Sequence, residues 1–331
     1  MQSRRLRCAL IGAGSMASTY HHPSLASLPE IELAAVCELV PEKGAAAANR
    51  FGIPRVDTDY RQMLREVDPE VVYVIMPPQH LFEPAAACLA QGRHLFIEKP
   101  LGLTTWQARA LADLAERRDC RTMVGFQRRH VPALTEIRRR VEARGPIWNA
   151  TVSFLKCAPL DEPAGLYGGA IDALTSDGIH AVDAVRFLAG GEVLRVAADV
   201  RRQYAPGPFA NNHTALVTFS SGAVGVLQFH YTTGRRIFRM EFHGRAATGY
   251  VDPDREAYFV ADNAEPEVRP ATSFGTMGGA AGDEPPHWLG FWHEHRHFAD
   301  AILAGREATS HFGDAVKTME LVERILHEGG A

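Results

Sequence analysis

The strongest constraint on the fold is residues 6–17, L-R-C-A-L-I-G-A-G-S-M-A, a short apolar run that stops at a glycine-rich turn. Residues 8–11 suit a buried strand, Gly12 and Gly14 a tight turn that lets backbone approach a ligand closely, and Ser15 the start of a helix. This is a G-x-G-x-x-A form of the dinucleotide-binding motif. The helix start, at Ser15 and Met16, offers N–H groups and a positive dipole end to a pyrophosphate, while Ala17 keeps the helix close to the strand. A second apolar run, residues 31–37, leads to Glu38, roughly 20 residues beyond the glycines, where an acid grips a ribose. Glu38 would accept hydrogen bonds from both ribose hydroxyls of NAD and repel a 2′-phosphate, and Leu39 and Val40 bring no cation to offset that repulsion. NAD is therefore expected over NADP, with Arg50 the remote residue able to reverse the preference.

The next hundred residues alternate strand and helix patterns. Residues 41–51 read as an alanine-rich helix with Pro41 in its first turn, closed by Gly52. Residues 60–66, 81–90 and 104–118 read as further helices. Residues 71–76, 94–97 and 122–125 read as strands, the first stopped by Pro77 and Pro78. Such alternation calls for a parallel sheet with ligands at the carboxyl ends of its strands, where Gly12, Glu38, Pro77 and Lys99 all fall.

Past Gly125 the texture changes. A basic helix is expected over 131–144, a strand over 147–156, a Pro/Gly-rich loop over 161–169 and a helix over 174–188. Several strands then come with turn signals between them, from 193 to 260, which points to a mainly antiparallel sheet. Helices over 288–303 and 313–327 close the chain. The expected architecture is an α/β Rossmann domain over 1–125 plus an α+β domain over 126–331, with the last helices packing back on the first domain.

Composition sets outer limits. A chain of 331 residues, 46% hydrophobic, is long enough for about two domains with proper cores. The net charge of -4, from 35 basic and 39 acidic side chains, gives no sign of a nucleic-acid or anionic-membrane partner. No apolar stretch approaches the roughly 20 residues of a membrane span. Five cysteines without a C-x-x-C pair read as buried thiols of a reducing compartment, so a cytoplasmic location is expected. His293, His295 and His297 invite a metal reading, but their spacing on a helix puts only the outer pair on one face, and no metal is expected.

Chemistry-bearing residues concentrate in two places. Glu98-Lys99-Pro100 comes directly after a buried strand at the predicted crevice, and a partly desolvated lysine there suits proton transfer; the alternative is a surface lysine in an ordinary turn. In Ser176-Asp177-Gly178-Ile179-His180, helical spacing sets Ser176 and His180 on one face, with Asp177 and Asp183 flanking His180. His180 could then be held in a defined tautomer as acid, base or relay, or simply be a packed and satisfied histidine.

Taken together, G-A-G-S-M-A, P-P-Q-H, A-A-C-L-A-Q-G-R-H-L-F-I-E-K-P-L, G-F-Q-R-R, G-I-H-A-V-D and the closing E-H-R-H-F-A-D-A-I resemble the glucose-fructose oxidoreductase / inositol dehydrogenase / rhizopine-catabolism (Gfo/Idh/MocA) family. The resemblance covers nearly the whole chain in order. It implies a Rossmann domain followed by an open, mostly antiparallel sheet whose flat face often makes a homodimer or homotetramer. It also implies NAD(P)-dependent dehydrogenation or reduction at a secondary alcohol or ketone of a sugar, inositol or related polyol. By the same resemblance Lys99 serves in proton transfer and substrate binding, and His180 contacts the reacting hydroxyl. Pro77, Glu98, Lys99 and Arg128 join the cofactor contacts, and Lys156, Tyr167 and His230 come from segments that often line the substrate site. One departure matters: the family's usual aspartate four residues before the histidine is Ser176 here, with Asp177 a possible substitute. That departure keeps two other readings open, retained NAD in redox-assisted glycoside or C–O cleavage and a non-catalytic nucleotide-binding sensor.

Overall fold

The computed structural model describes residues 4–157, 167–203, 208–277 and 284–330. The chain divides into two compact units, Met1–Gln127 with Phe291–Val316, and Arg128–Gly290 with Lys317–Ala331.

In the first unit β1 (Leu6–Ile11) runs into a π-helical turn (Ala17–His21) and α1 (His22–Ala26). Next come β2 (Ile31–Cys37), α2 (Pro41–Phe51), β3 (Val56–Asp57), α3 (Tyr60–Val67), β4 (Val71–Val74), α4 (Phe82–Ala90), β5 (His94–Glu98), α5 (Thr105–Arg117) and β6 (Thr122–Gly125). The strands form one parallel sheet in the order β3-β2-β1-β4-β5-β6, with β1 paired to both β2 and β4. The sequence cues act as expected: Gly52 takes a left-handed φ of 67° behind α2, and the Thr104 side chain accepts the N–H of Gln107 to cap α5. Tyr73 on β4 and Phe96 on β5 are fully buried with ring centroids 5.3 Å apart. Burial of a side chain of this size contributes about 1.5–3 kcal/mol, so these rings are a main term in the sheet's stability.

The second unit holds α6 (Pro132–Glu142), β7 (Asn149–Cys157), a second π-helical turn (Leu174–Gly178) leading into α7 (Ile179–Ala189), and β8 (Val193–Arg201). It continues with β9 (Asn212–Phe219), β10 (Val224–His230), β11 (Thr232–Gly244), β12 (Ala247–Asp252), β13 (Glu256–Ala261), β14 (Arg269–Pro270) and α8 (Pro285–Trp288). Its sheet runs β14-β13-β12-β11-β7-β10-β9-β8, antiparallel throughout except for the parallel pair β7 and β10. Strand alternation separates two faces. The row Val196, Val217, Gly225, Ala150, Phe242, Gly249 is buried, and α7 packs on that side, where a Cβ on Gly225 would meet Val185 at 2.5 Å. The adjoining row Ala197, Leu216, Val226, Thr151, Glu241, Tyr250 is open, with Leu216 47% exposed.

Two expectations need correction. The helix expected over 288–303 starts later, as α9 (Phe291–Leu303), with Gly290 at a φ of 94° between it and α8. Cys8, Cys37, Cys88 and Cys120 are buried, whereas Cys157 is exposed at the end of β7. The chain ends in α10 (Phe312–Glu328). The loop expected over 161–169 falls mostly outside the described residues, and Tyr167 opens a short 3-10 turn. Among the described residues no helix is long and apolar enough to cross a membrane.

Candidate functional site

The first unit gathers the nucleotide-binding candidates at the carboxyl end of its sheet. Gly12 leaves β1 with a φ of 102°, and a Cβ there would lie 2.1 Å from the carbonyl oxygen of Ile75, so only glycine fits. Gly14 is the opposite case: a Cβ would meet nothing within 4 Å, and Gly14, Ser15 and Met16 are all exposed. No side chain caps the helix start there, which leaves its first N–H groups to an anion. Glu38 turns its carboxylate to this loop, Oε2 accepting the N–H of Ala13 at 2.7 Å and Oε1 that of Val40 at 3.1 Å. An acid held against the glycine turn fits the ribose of a dinucleotide, since each oxygen keeps a further lone pair for a hydroxyl. Leu39 beside it is 80% exposed and offers no charge, and Arg50 donates to the Ser18 carbonyl while lying over the Phe51 ring.

Along the same sheet edge, Pro77 is exposed just beyond β4, and His80 is exposed at the end of the turn Pro78–His80. Lys99 is half-buried directly after β5, joined to Pro100 by a cis peptide. The buried Glu98 accepts the backbone N–H of Lys99 on Oε2 at 3.1 Å and meets Nε2 of His21 with Oε1 at 2.8 Å. Of the three closing histidines, His295 is fully buried, while His293 and His297 are half-exposed and His297 accepts the N–H of Thr309 at 3.0 Å.

The second unit holds the other candidates. Asp177, buried in the π-turn, accepts the Tyr231 hydroxyl at 2.9 Å and pairs with Lys156, whose ammonium lies 5.1 Å from the Phe154 ring centroid. Burial, together with the Asp177 charge, pushes the Tyr231 hydroxyl up, so it serves as a donor. Ser176 donates to the carbonyl of Asp172 at 2.8 Å. His180 is buried with its ring edge-on to Phe154, centroids 6.3 Å apart. Asp183 accepts Arg129 at 2.7 and 2.5 Å and the Thr318 hydroxyl at 3.0 Å.

Arg128 is fully buried over the Phe238 ring at 4.5 Å, and Nε and Nη1 have no hydrogen-bond partner among the described residues. Burial lowers its guanidinium to about 10, which marks a cation in want of an acceptor. Tyr167 is half-exposed. His230 pairs in register with Leu155, on the open face, whereas Phe229 and Tyr231 face α7, so strand alternation sends His230 away from the Asp177 group.

The residues that sequence reading passed over are Tyr231, His213 and His21. Tyr231 and His213 were available from alternation, because Tyr231 shares parity with Phe229 and His213 lies opposite Phe229 in the register. His21 was not, because the π-turn that buries it leaves no mark in residue types.

The family model described as "Oxidoreductase family, NAD-binding Rossmann fold" matches residues 6–126, and that of the GFO/IDH/MocA C-terminal domain matches residues 143–249. The chain belongs to the GFO/IDH/MocA oxidoreductase family. Within this family it is similar to the D-glucoside 3-dehydrogenase of Escherichia coli (strain K12), 28% identical over 242 residues, 70% of this chain and 68% of that protein. It is also similar to the scyllo-inositol 2-dehydrogenase (NAD(+)) of Bacillus subtilis (strain 168), 28% identical over 69% of this chain and 68% of that protein. Among solved structures, GenD2 from gentamicin A biosynthesis in complex with NAD superposes with a TM-score of 0.81 at 26% identity, covering all of this chain and 95% of that one. As a GFO/IDH/MocA member the chain is an NAD-binding oxidoreductase, and the Gly12, Gly14 and Glu38 geometry fits that cofactor.

Proposed function

We propose that this GFO/IDH/MocA member is a dehydrogenase or reductase acting on a secondary alcohol or ketone of a sugar, inositol or related polyol. The observation that carries the reading is Lys99 at the carboxyl end of β5, in the sheet whose β1 and β2 hold the dinucleotide turn and Glu38. Bound NAD supplies the hydride acceptor at the carbinol carbon. Lys99 would take the hydroxyl proton as the hydride leaves and return it in the reverse reaction. Lys156, held by Asp177, and the donors of Arg128 suit an oxygen-rich ligand. The names of the two relatives, a glucoside and an inositol dehydrogenase, support this substrate class.

A homo-oligomer through the open sheet face belongs to the same proposal, supported by Leu216 at 47% exposure in the open row. Light scattering should return a dimer or tetramer, and a monomer would remove this part. Five unpaired thiols, four of them buried, suit a reducing, cytoplasmic setting.

The test is to incubate the protein with NAD, and separately with NADP, against inositols, aldoses, glucosides, sugar acids and amino sugars, with Lys99→Met alongside. Substrate-dependent reduction of NAD that vanishes in the variant supports the reading. If NAD binds but no panel member changes its redox state in either direction, the dehydrogenase reading fails in favour of retained-cofactor chemistry or a sensor.

A further inference from the structure

The π-turn over Ala17–His21 is defined by the His22 N–H returning to the carbonyl of Ala17, one residue further than an α-turn reaches. It places His21, fully buried, among the rings of Phe96, Phe291 and His295 at centroid distances of 5.8, 5.1 and 5.0 Å. Nδ1 lies 2.9 Å from Nε2 of His295, and Nε2 lies 2.8 Å from Glu98 Oε1, an ion-pair contact without hydrogen-bond geometry. The other oxygen of Glu98 accepts the N–H of Lys99 at 3.1 Å.

His21 thus stands between His295 on one side and the Glu98 carboxylate on the other, and Lys99 donates its backbone N–H to the same carboxylate. Glu294 lies beside this chain of contacts: it is fully buried with its nearest oxygen 4.0 Å from His21 Nδ1, and burial together with the Glu98 charge pushes its carboxyl up, so it keeps its proton.

The cluster also has the donor types of a metal site, since single ligand atoms of His21, Glu294 and His295 lie within 4.8 Å of one another. Geometry argues against that use. Two nitrogens bound to tetrahedral zinc at about 2.0–2.1 Å stand about 3.3 Å apart, whereas His21 and His295 are at the hydrogen-bond separation of 2.9 Å.

We propose that His21 is a positioning residue for Lys99, acting through Glu98. The inference rests on the reading of Lys99 as the proton carrier. Lys99 comes directly after the last residue of β5, and its backbone N–H is held by the carboxylate of the residue before it, so a carboxylate that turns shifts the direction in which the lysine leaves the strand. That carboxylate lies against His21, and His21 against His295 on α9. Losing the imidazole removes what the buried carboxylate packs against, and its turning releases the Lys99 N–H.

The experiment compares wild type with His21→Leu, His21→Gln, Glu98→Gln and Lys99→Met, each in the full chain with NAD. The first readout is the acetylation rate of Lys99 by sulfo-N-hydroxysuccinimide acetate, measured by peptide mass spectrometry against Lys43 and Lys317. His21→Leu should change the Lys99 rate severalfold and leave the other two unchanged, with His21→Gln, which keeps a donor, intermediate. The second readout is turnover of whichever panel polyol the wild type oxidises: kcat should fall about 10- to 100-fold with the NAD dissociation constant unchanged, and recover in part in His21→Gln. Unchanged Lys99 labelling and kcat in a His21→Leu protein that melts like wild type would overturn the proposal, as would stoichiometric zinc in the purified protein. If His21→Leu does not fold, the same comparisons on His21→Gln and Glu98→Gln decide it. Turnover that survives Lys99→Met would sink the role of Lys99 itself, while the labelling still decides whether His21 positions it.

Discussion

Arg129 clasps Asp183 with two parallel hydrogen bonds, Nε to Oδ2 at 2.7 Å and Nη2 to Oδ1 at 2.5 Å, and both side chains are buried. Thr318 adds a third bond to Oδ1, and Arg186 in turn donates to the Thr318 hydroxyl at 2.7 Å. Asp183→Asn removes the negative charge that faces a buried guanidinium and should cost about 3–5 kcal/mol in urea unfolding, whereas replacing both residues with leucine should cost less than either single change. Equal costs for the single and double variants would refute the coupling.

Glu38 is the affinity prediction. Glu38→Ala removes the acceptor for the ribose hydroxyls, and hydrogen bonds to a charged group are worth about 1.5–3 kcal/mol. Calorimetry should show NAD binding weakened about 10- to 100-fold. The melting temperature without NAD should move little, because the carboxylate's own partners are two backbone amides at the loop surface.

The two glycines of the turn should part company. Gly12→Ala forces a methyl to 2.1 Å from the Ile75 carbonyl at a φ of 102°, so several kcal/mol of stability should be lost. Gly14→Ala meets nothing within 4 Å and should melt like wild type alone, yet show a smaller upward shift when NAD is added. Melting curves of both variants with and without NAD separate these outcomes.

Acid should weaken the fold through His22 and His213, which burial holds down to about 4. The unfolded chain binds their protons near pH 6.5 and the folded chain refuses them until about pH 4. Stability therefore falls as pH drops through that window, by up to about 1.4 kcal/mol per pH unit for each ring. His213→Gln should flatten the fall in the urea midpoint between pH 6.5 and 4.5.

Glu294 runs the other way. Its carboxyl is pushed up, so it stays protonated in the fold while the unfolded chain ionises above about pH 4.5, and its stabilising contribution is lost as pH rises. Glu294→Gln should raise the melting temperature at pH 8 and leave it unchanged at pH 4. A gain of equal size at both values would contradict the assignment.

Much of the fold was legible in the residues. Period and punctuation mark β1, β2, α2 and β6 because each is a continuous apolar run or an alanine-rich stretch bounded by glycine or proline. Glu38 was legible because it directly follows β2, the first apolar run after the glycine turn. β3 was not, since two residues at a sheet edge carry no period. His230 and Tyr231 point to opposite faces of the sheet, so naming one of them without the register is a choice between two sides. The partners of Asp183 were hidden for a different reason, because Arg129 and Thr318 lie 54 and 135 residues away in the chain.

Each unit carries one helical turn that is a residue too wide, Ala17–His21 in the first and Leu174–Gly178 in the second. Taking one residue out of such a turn restores ordinary α-spacing and swings the residues before it by about 100° relative to the helix after it. A single-residue deletion is therefore enough to change what a buried histidine such as His21 faces, with no side chain chemically altered. When this chain is set beside a relative, a gap of one position in either turn is a change of aim, and counting residues back from His180 to find the family's carboxylate measures sequence where the helix has already slipped.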